Sequence, residues 1–199
     1  MKTTDRELMQ RVAQGDEGAF ADLAERFGPR LLTAAWRILG NRADAEDAVQ
    51  RALLRLYTSA KGYRPEWAVS TWVYRITTNI CVDEIRRRRG RMTTQKAAQE
   101  EANGQGHLFG GWSAAGGPPA GQALDVQRAL QQVPLEARLL LALRYVDGLS
   151  YGELAKVRGI SVNTVKSQLA RGKSILRKAL GDHAIARPSR GEQAKGAER

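Results

Sequence analysis

The sequence predicts an all-α protein of two small helical domains joined by a flexible linker. Apolar residues recur at three- and four-residue steps through residues 5–89 and again through 123–180, which is the period of an amphipathic helix. Between these stretches, eight glycines and two adjacent prolines interrupt any apolar period. A chain of 199 residues with 42% hydrophobic residues is long enough to form two small cores. We therefore predict domains at 1–89 and 123–181, a linker at 90–122 and a disordered tail at 182–199.

The composition favours a polyanionic partner and gives no sign of catalysis. The net charge is +11, and clustered cations suit nucleic-acid phosphates or, alternatively, an anionic membrane surface. Cys81 is the single cysteine, which excludes an intramolecular disulfide and a cysteine-cluster zinc site. Its apolar neighbours predict a buried structural thiol. His107 and His183 lie outside any carboxylate or cysteine cluster, so we predict no metal, cofactor, small-molecule substrate or enzymatic site.

The chain shows neither a long apolar run nor a signal peptide. No stretch approaches the roughly 20 apolar residues that a membrane span needs, and Met1-Lys2 leads directly into polar residues. We expect a cytoplasmic protein without membrane insertion.

The first two helices are predicted from a capping box and from apolar periodicity. Thr4 and Glu7 form a capping box that begins a short helix at about residues 4–14. A longer apolar period covers residues 16–39. The pair Gly28-Pro29 inside it predicts a kink or a split, because proline lacks the amide that a helix interior needs.

Three acids occupy the first turn of the third predicted helix, which ends near residue 60. The helix dipole accounts for Asp44, Glu46 and Asp47 at a helix N-terminus. It accounts less well for the polar residues farther along, which are Gln50, Arg51 and Arg55. The surface therefore has two interpretations, a solvated helix start and a docking face for another protein.

Aromatic rings and cations follow one another from a loop at 61–69 into the next helix. Glycine and proline break the helix in this loop, which carries Tyr63, Arg64 and Trp67. Ser70 is predicted to cap a long helix, with Trp72 available for its core. The outer face of that helix is predicted to carry Tyr74, Arg75, Thr78, Asn79, Asp83, Arg86 and Arg87. Bases stack on rings while cations follow the backbone of a single strand, although rings at helical spacing also occur in ordinary cores.

Residues 150–180 carry the clearest pattern, which predicts a helix-turn-helix. Ser150 and Glu153 form a capping box, Gly159 supplies a left-handed helix end, and Ser161 caps the second helix. An apolar stripe there comprises Val162, Val165, Leu169, Gly172 and Leu176. The opposite face comprises Asn163, Thr164, Lys166, Ser167, Gln168, Arg171 and Lys173. Such groups suit base edges and phosphates in a major groove, and equally a solvated helix face. Helices predicted at 124–133 and 135–146 complete a four-helix domain.

Three stretches together resemble bacterial RNA polymerase sigma factors of the extracytoplasmic-function (ECF) group. They are Asp44-Ala45-Glu46-Asp47-Ala48-Val49-Gln50; Ser70-Thr71-Trp72-Val73-Tyr74-Arg75-Ile76 with Asn79, Asp83 and the arginines at 86–89; and residues 143–151 with 159–167. The match covers about residues 5–89 and 123–180 and keeps the family's order. The chain departs from the family at Arg51, where an acid is usual, and at Gln168, where an arginine is common.

The resemblance implies partners and roles for these residues. It implies an N-terminal sigma region 2-like bundle, a C-terminal region 4-like domain, core RNA polymerase bound at its β′ clamp and β flap, promoter DNA, and an anti-sigma factor as a usual partner. Polymerase docking would fall to Asp44, Glu46, Asp47, Gln50 and Arg51. Capture of the melted -10 strand would fall to Tyr63, Arg64, Trp72, Arg75, Asn79, Asp83, Arg86 and Arg87. Contact with the -35 duplex would fall to Asn163, Thr164, Lys166, Ser167, Gln168 and Arg171.

A stand-alone helix-turn-helix regulator is the main alternative. It would bind duplex DNA without polymerase and would require a palindromic site and a dimerisation helix. The sequence offers no spare long amphipathic helix for that purpose.

Overall fold

The structure, a computed structural model, describes residues 3–95 and 120–181, and its regular elements there are helices. In chain order they are α1 Asp5–Ala13, α2 Glu17–Leu39, α3 Arg42–Ser59, α4 Val69–Gln95, α5 Ala120–Gln132, α6 Leu135–Val146, α7 Tyr151–Arg158 and α8 Val162–Leu180. A 3-10 turn, Ala60–Gly62, follows α3. Helices α1–α4 form one bundle and α5–α8 form the other, which confirms the predicted all-α architecture of two helical domains. His107, the apolar segment at 108–112, His183 and the predicted tail lie outside the described residues.

The predicted caps form as local sequence chemistry requires. The backbone N–H of Thr4 donates to Glu7 Oε2 at 2.7 Å, and the backbone N–H of Glu7 donates to Thr4 Oγ1 at 3.2 Å. Ser150 and Glu153 repeat this reciprocal arrangement at the start of α7. Gly159 ends α7 with φ +66°, a conformation that glycine adopts without steric cost. Because these motifs need contacts over three residues, the sequence predicts them directly.

A split of α2 at Gly28-Pro29, one of the two outcomes expected there, does not occur, since the helix continues through Pro29 to Leu39. Proline removes one backbone hydrogen bond, and the side chains of Phe27 and Leu31 on either side are buried in the core. The Thr33 hydroxyl donates to the Pro29 carbonyl at 2.9 Å. Tertiary packing thus keeps the helix continuous across the proline.

Helix α4 differs from its predicted bounds and orientation. It begins at Val69, which is buried, so Ser70 lies inside the helix rather than at its cap. Tyr74 and Thr78, which the helical period predicts on the outer face, are buried. Cys81 is buried as predicted, and burial raises the pKa of its thiol to about 12. At its far end α4 continues to Gln95, and α5 begins at Ala120, so helices extend into both ends of the stretch predicted as linker.

The two bundles contact each other at the C-terminal end of α2. The last carbonyls of a helix lack partners within the helix, and side chains of the second bundle bind them here. Gln127 Nε2 donates to the Trp36 carbonyl at 2.7 Å, and Arg138 Nη1 donates to the Ile38 carbonyl at 3.0 Å. Arg138 also donates to the carbonyl of Val133 and is nearly buried. A cation from α6 therefore caps a helix of the other bundle, where the helix dipole favours positive charge.

A second contact between the bundles is centred on Asp147, which follows α6. Its side chain is fully buried and forms an ion pair with Arg30 of α2. The buried phenol of Tyr74 on α4 faces the same carboxylate. Burial raises the pKa of Asp147, and the neighbouring Tyr74 and Arg30 oppose that shift. Tyr74 is therefore part of the seam between bundles, which explains why helical periodicity alone misplaces it.

Candidate nucleic-acid interface

Rings and cations meet where the loop after α3 joins α4. The rings of Tyr63 and Trp72 lie 5.4 Å apart between centroids and are tilted by 59°. The Tyr63 hydroxyl donates to the Trp67 carbonyl at 2.6 Å, and the Arg75 guanidinium lies 5.0 Å from the centroid of the Trp67 ring. A cavity of about 290 Å³ opens there, lined by Gly62, Arg64, Trp67, Trp72 and Arg75. The loop residues predicted for strand capture are thus close to those of the helix.

A second cavity, of about 550 Å³, continues along α4 and is bounded on its other side by α3. Its lining residues are Arg51, Arg55, Trp72, Arg75, Ile76, Asn79, Ile80 and Asp83. Trp72 and Arg75 line both cavities, so the two form one groove. We call this the α3–α4 groove. It brings together a ring, cations, the Asn79 amide and the Asp83 carboxylate, a set of groups able to stack on a base and hydrogen-bond its edge.

The sequence does not predict that α3 supplies part of this groove. The sequence pattern places Arg51 and Arg55 on a candidate protein-docking surface, yet both line the cavity that α4 borders. Their four-residue spacing, which places both on one face of α3, is the available signal. The partner of that face depends on how α3 packs against α4, which the sequence pattern does not contain.

A buried carboxylate organises the arginines beyond the groove. Glu84 is 6% exposed and forms ion pairs with Arg51, Arg87 and Arg88. Burial opposes ionisation of Glu84, but hydrogen bonds from Arg87 and Arg88 outweigh it and lower its pKa. Arg86 and Arg87 are exposed, consistent with a surface that meets phosphates. Glu84 was not among the predicted residues.

The acids at the start of α3 are exposed or half-buried, and each is paired within the chain. Asp44 pairs with Arg88, Glu46 with Arg42 at 2.9 Å, and Asp47 with Arg51 at 3.3 Å. Gln50 is exposed one turn farther on. A cavity of about 170 Å³ lies beside them, lined by Ala24, Leu32, Arg42, Glu46, Val49, Gln50 and Leu53. Leu54 is 62% exposed on the same helix. A mostly apolar groove whose charged lining residues are Arg42 and Glu46 suits a protein partner that presents apolar groups with charged groups around them.

Helix α8 presents its polar side chains to solvent in one row. Ser161 caps it by accepting from the Thr164 N–H at 3.0 Å. Val165, Leu169 and Gly172 are buried against the domain, whereas Val162, the first residue of α8, is 40% exposed, so its predicted burial is wrong. The polar row consists of Asn163, Thr164, Lys166, Ser167, Arg171 and the half-buried Gln168. An exposed polar and cationic helix face of this kind suits a major groove.

Gly172 allows α8 to approach α6 closely. A Cβ at this position would lie 3.0 Å from Ala137 Cβ and from Leu141 Cδ1. The neighbouring side chains would have to move to admit it. The glycine therefore fixes how the outer face of α8 is presented.

Two family models match the chain over the parts that contain these surfaces. Residues 23–91 match Sigma-70 region 2, and residues 123–176 match Sigma-70 region 4. The chain is 31% identical over 189 residues to the ECF RNA polymerase sigma factor SigW of Bacillus subtilis, which covers 92% of this chain and all of that protein.

The chain belongs to the ECF group of RNA polymerase sigma factors.

Other relatives agree with this membership. This chain is 30% identical over 187 residues to the ECF RNA polymerase sigma factor SigM of Mycobacterium tuberculosis, and the match covers 89% of this chain and 85% of SigM. This chain is also 28% identical over 179 residues to the ECF RNA polymerase sigma-E factor of Escherichia coli, and the match covers 87% of this chain and 92% of that protein. As an ECF sigma factor with regions 2 and 4, it functions in promoter recognition and transcription initiation, and the alternative of a stand-alone regulator is not favoured.

Two solved structures share its fold. The structure of CnrH in complex with the cytosolic domain of CnrY has a TM-score of 0.65 at 23% identity, covering 90% of this chain and 99% of that one. The structure of the sigma factor RpoE in complex with the anti-sigma factor NepR from Bartonella quintana has a TM-score of 0.64 at 20% identity, and the match covers 81% of this chain and 96% of that one.

The family matches are to a transcription initiation factor rather than to a catalytic family. Within residues 3–95 and 120–181, no helix has the length and apolar character to cross a membrane, and no cluster of His, Cys, Asp and Glu could hold a metal.

Proposed function

We propose that the α3–α4 groove captures the melted non-template strand of the -10 element, while the outer face of α8 binds the -35 duplex. The observation that carries this proposal is the continuity of the groove, in which Trp72 and Arg75 connect the loop rings to Asn79 and Asp83. Unstacking a base costs a few kcal/mol, so a capture site needs both a stacking ring and hydrogen-bonding groups. The groove supplies both.

The proposed contacts at the -10 element divide by chemistry. Trp67 and Trp72 line the groove and offer ring faces, whereas Tyr63 packs against Trp72. Asn79 and Asp83 offer groups for a base edge, and the arginines offer charge for phosphates. The arginines concerned are Arg64, Arg75, Arg86 and Arg87. The contact of Arg75 with the Trp67 ring supports the proposed role of Arg75, because it holds the guanidinium above the loop.

The start of α3 is proposed as the surface that docks on core polymerase. Asp44, Glu46 and Asp47 provide negative charge, and Gln50 borders the apolar cavity between α2 and α3. The exposed Leu54 extends the apolar surface. Arg51 lines the groove and also forms an ion pair with Asp47. Its proposed role in docking is therefore to hold the Asp47 carboxylate in place. The proposed target is the β′ clamp, with the β flap contacting the second bundle.

A further partner and a location are proposed by analogy with the family. Two solved structures of similar fold contain a bound partner, which is the cytosolic domain of CnrY in one and the anti-sigma factor NepR in the other. We propose by analogy that this sigma factor also binds an anti-sigma factor, acts in the cytoplasm and performs no catalysis of its own. The proposed modules are residues 1–89 and 123–181, connected by 90–122.

Transcription with purified core polymerase tests the proposal. The chain should direct specific starts, and replacing Asp44, Glu46 and Asp47 together by Asn, Gln and Asn should weaken polymerase binding while leaving duplex binding by α8 intact. Asp125→Asn, which changes an exposed acid on α5, is the matched control. Specific starts unaffected by the triple replacement would contradict docking at α3. Failure of the unaltered chain to direct any start would contradict the whole assignment.

A further inference from the structure

The α3–α4 groove has two chemically different walls. From α4 come the ring of Trp72, the amide of Asn79 and the carboxylate of Asp83. From α3 come two arginines four residues apart, Arg51 and Arg55, which therefore project from one face of that helix. The α4 wall suits bases, whereas the α3 wall carries positive charge.

The cations of the groove differ in how they are held. Arg75 of α4 lies over the Trp67 ring, so its guanidinium is directed at the loop. Arg51 lies 3.3 Å from Asp47 and 3.5 Å from Glu84, distances longer than the roughly 2.7–2.9 Å typical of a charge-assisted hydrogen bond. The side chain of Arg55 is exposed and forms no ion pair or hydrogen bond within the part of the chain that the structure describes.

An exposed arginine without a partner gains no structural stability from its charge, and its guanidinium can bind phosphate oxygens in a fork. A single strand in this groove would place one phosphate for each base that enters. If its bases turn toward the ring and amide of α4, its backbone must face the opposite wall, which is α3.

We propose that Arg55, with Arg51 beside it, binds a backbone phosphate of the melted strand, so that the strand lies between α3 and α4 with its phosphates toward α3. This assignment rests on the proposed function and adds the orientation of the strand. It gives α3 two functions on two faces, protein docking through its acids and strand binding through its arginines.

Holoenzyme binding to a fork-junction DNA tests the assignment. The probe takes its unpaired non-template strand from a promoter whose start site has been mapped with this sigma factor. Arg55→Ala should weaken binding about tenfold and reduce the slope of log affinity against log salt by about 0.7, the value for one single-strand phosphate. Arg55→Lys should retain most of the binding. Arg128→Ala, which removes an exposed arginine from α5, should change neither quantity.

Neutral phosphates locate the contact. Methylphosphonates placed one at a time along the unpaired strand should weaken binding by wild-type holoenzyme at one position in particular, and Arg55→Ala should abolish the penalty at that position alone. Circular dichroism of each variant checks that α3 still folds.

Three results are distinguishable. Wild-type affinity and salt slope in Arg55→Ala would overturn the phosphate contact while leaving strand capture intact. Loss of polymerase binding in Arg55→Ala, measured with labelled sigma factor and core enzyme before DNA is added, would assign Arg55 to docking instead and overturn the inference. Absence of promoter-specific binding by the wild-type holoenzyme would contradict the proposed function itself.

Discussion

Helix α8 and the α3–α4 groove present their charged groups in contrasting ways. On α8, Lys166 and Arg171 are exposed, and neither forms an ion pair with another residue of ranges 3–95 and 120–181. In the groove, Arg51 contacts two carboxylates and Arg75 contacts a ring, whereas Arg55 is exposed and forms no ion pair within the described residues. A duplex offers a regular row of phosphates that flexible cations can find, whereas an unstacked strand has no fixed shape. If the groove binds the strand and α8 the duplex, as proposed, the strand meets a site in which two of the cations are already positioned, and the duplex meets a helix whose cations are free to adjust.

The largest effect is expected from a substitution that breaks the contact between the two bundles, which keeps the groove and α8 in one arrangement. Arg138→Ala leaves the carbonyls of Ile38 and Val133 without a donor and should reduce the free energy of unfolding by about 3 kcal/mol. It should also increase the distance between the bundles, measured by energy transfer between dyes on α3 and α8. Arg128→Ala is the control on α5. An unchanged distance and an unchanged free energy of unfolding would show that the contact between the bundles does not depend on Arg138.

Removing the ring of Trp72 distinguishes strand binding in the groove from duplex binding by α8. Trp72→Ala should weaken binding of an unpaired -10 strand by about 2 kcal/mol, because one base loses its stacking surface. Binding of a -35 duplex should be unchanged. Trp72→Phe should keep most strand binding, since it retains a ring face. Equal losses on both probes would indicate a general folding defect and contradict a stacking role.

The reciprocal change removes a cation from α8. Arg171→Ala should reduce duplex affinity about tenfold and reduce its salt slope by about 0.9, the value for one phosphate of duplex DNA. Binding of the unpaired strand should remain at the wild-type level. Filter binding or fluorescence anisotropy over a range of salt concentrations provides both quantities. An unchanged slope would remove Arg171 from the set of phosphate contacts.

What the sequence predicts well is what neighbouring residues determine. The capping box of Ser150 and Glu153, the left-handed Gly159 and the bounds of α6 all form as expected, because each depends on residues a few positions apart. Helical periodicity misplaces Tyr74 because its burial requires Asp147 from the other bundle. Likewise, Arg55 can be assigned to the groove only once α3 and α4 are seen to face each other. Long-range packing, rather than helix chemistry, limits the prediction.

The smallest expected effect concerns two buried acids whose pKa values shift in opposite directions. Burial raises the pKa of Asp147, so its contribution to stability is greatest below its unfolded pKa of about 3.9 and is lost as pH rises through the folded value. The stability of wild type relative to Asp147→Asn should therefore fall with rising pH, with a slope below about 1.4 kcal/mol per pH unit, which is the limit for a single proton. Tyr74 and Arg30 face this carboxylate and oppose the rise in its pKa.

Glu84 provides the contrast within the same protein. Its pKa is lowered, so its stabilising ion pairs are complete above its unfolded pKa of about 4.3 and are lost as pH falls. Wild type relative to Glu84→Gln should become less stable on acidification. Denaturant unfolding at several pH values measures both comparisons, and the same pH trend for both acids would contradict the packing described here.

Site-specific crosslinking in a promoter complex tests most directly that the two surfaces bind DNA of different strandedness. A photoreactive amino acid at position 79 in the groove and another at position 168 on α8 would each be activated in the holoenzyme on a promoter with a mapped start. We predict that position 79 crosslinks to the unpaired non-template strand near the -10 element and position 168 to paired DNA near the -35 element. Crosslinks from both positions to the same duplex segment, or from position 79 to paired DNA alone, would contradict the account.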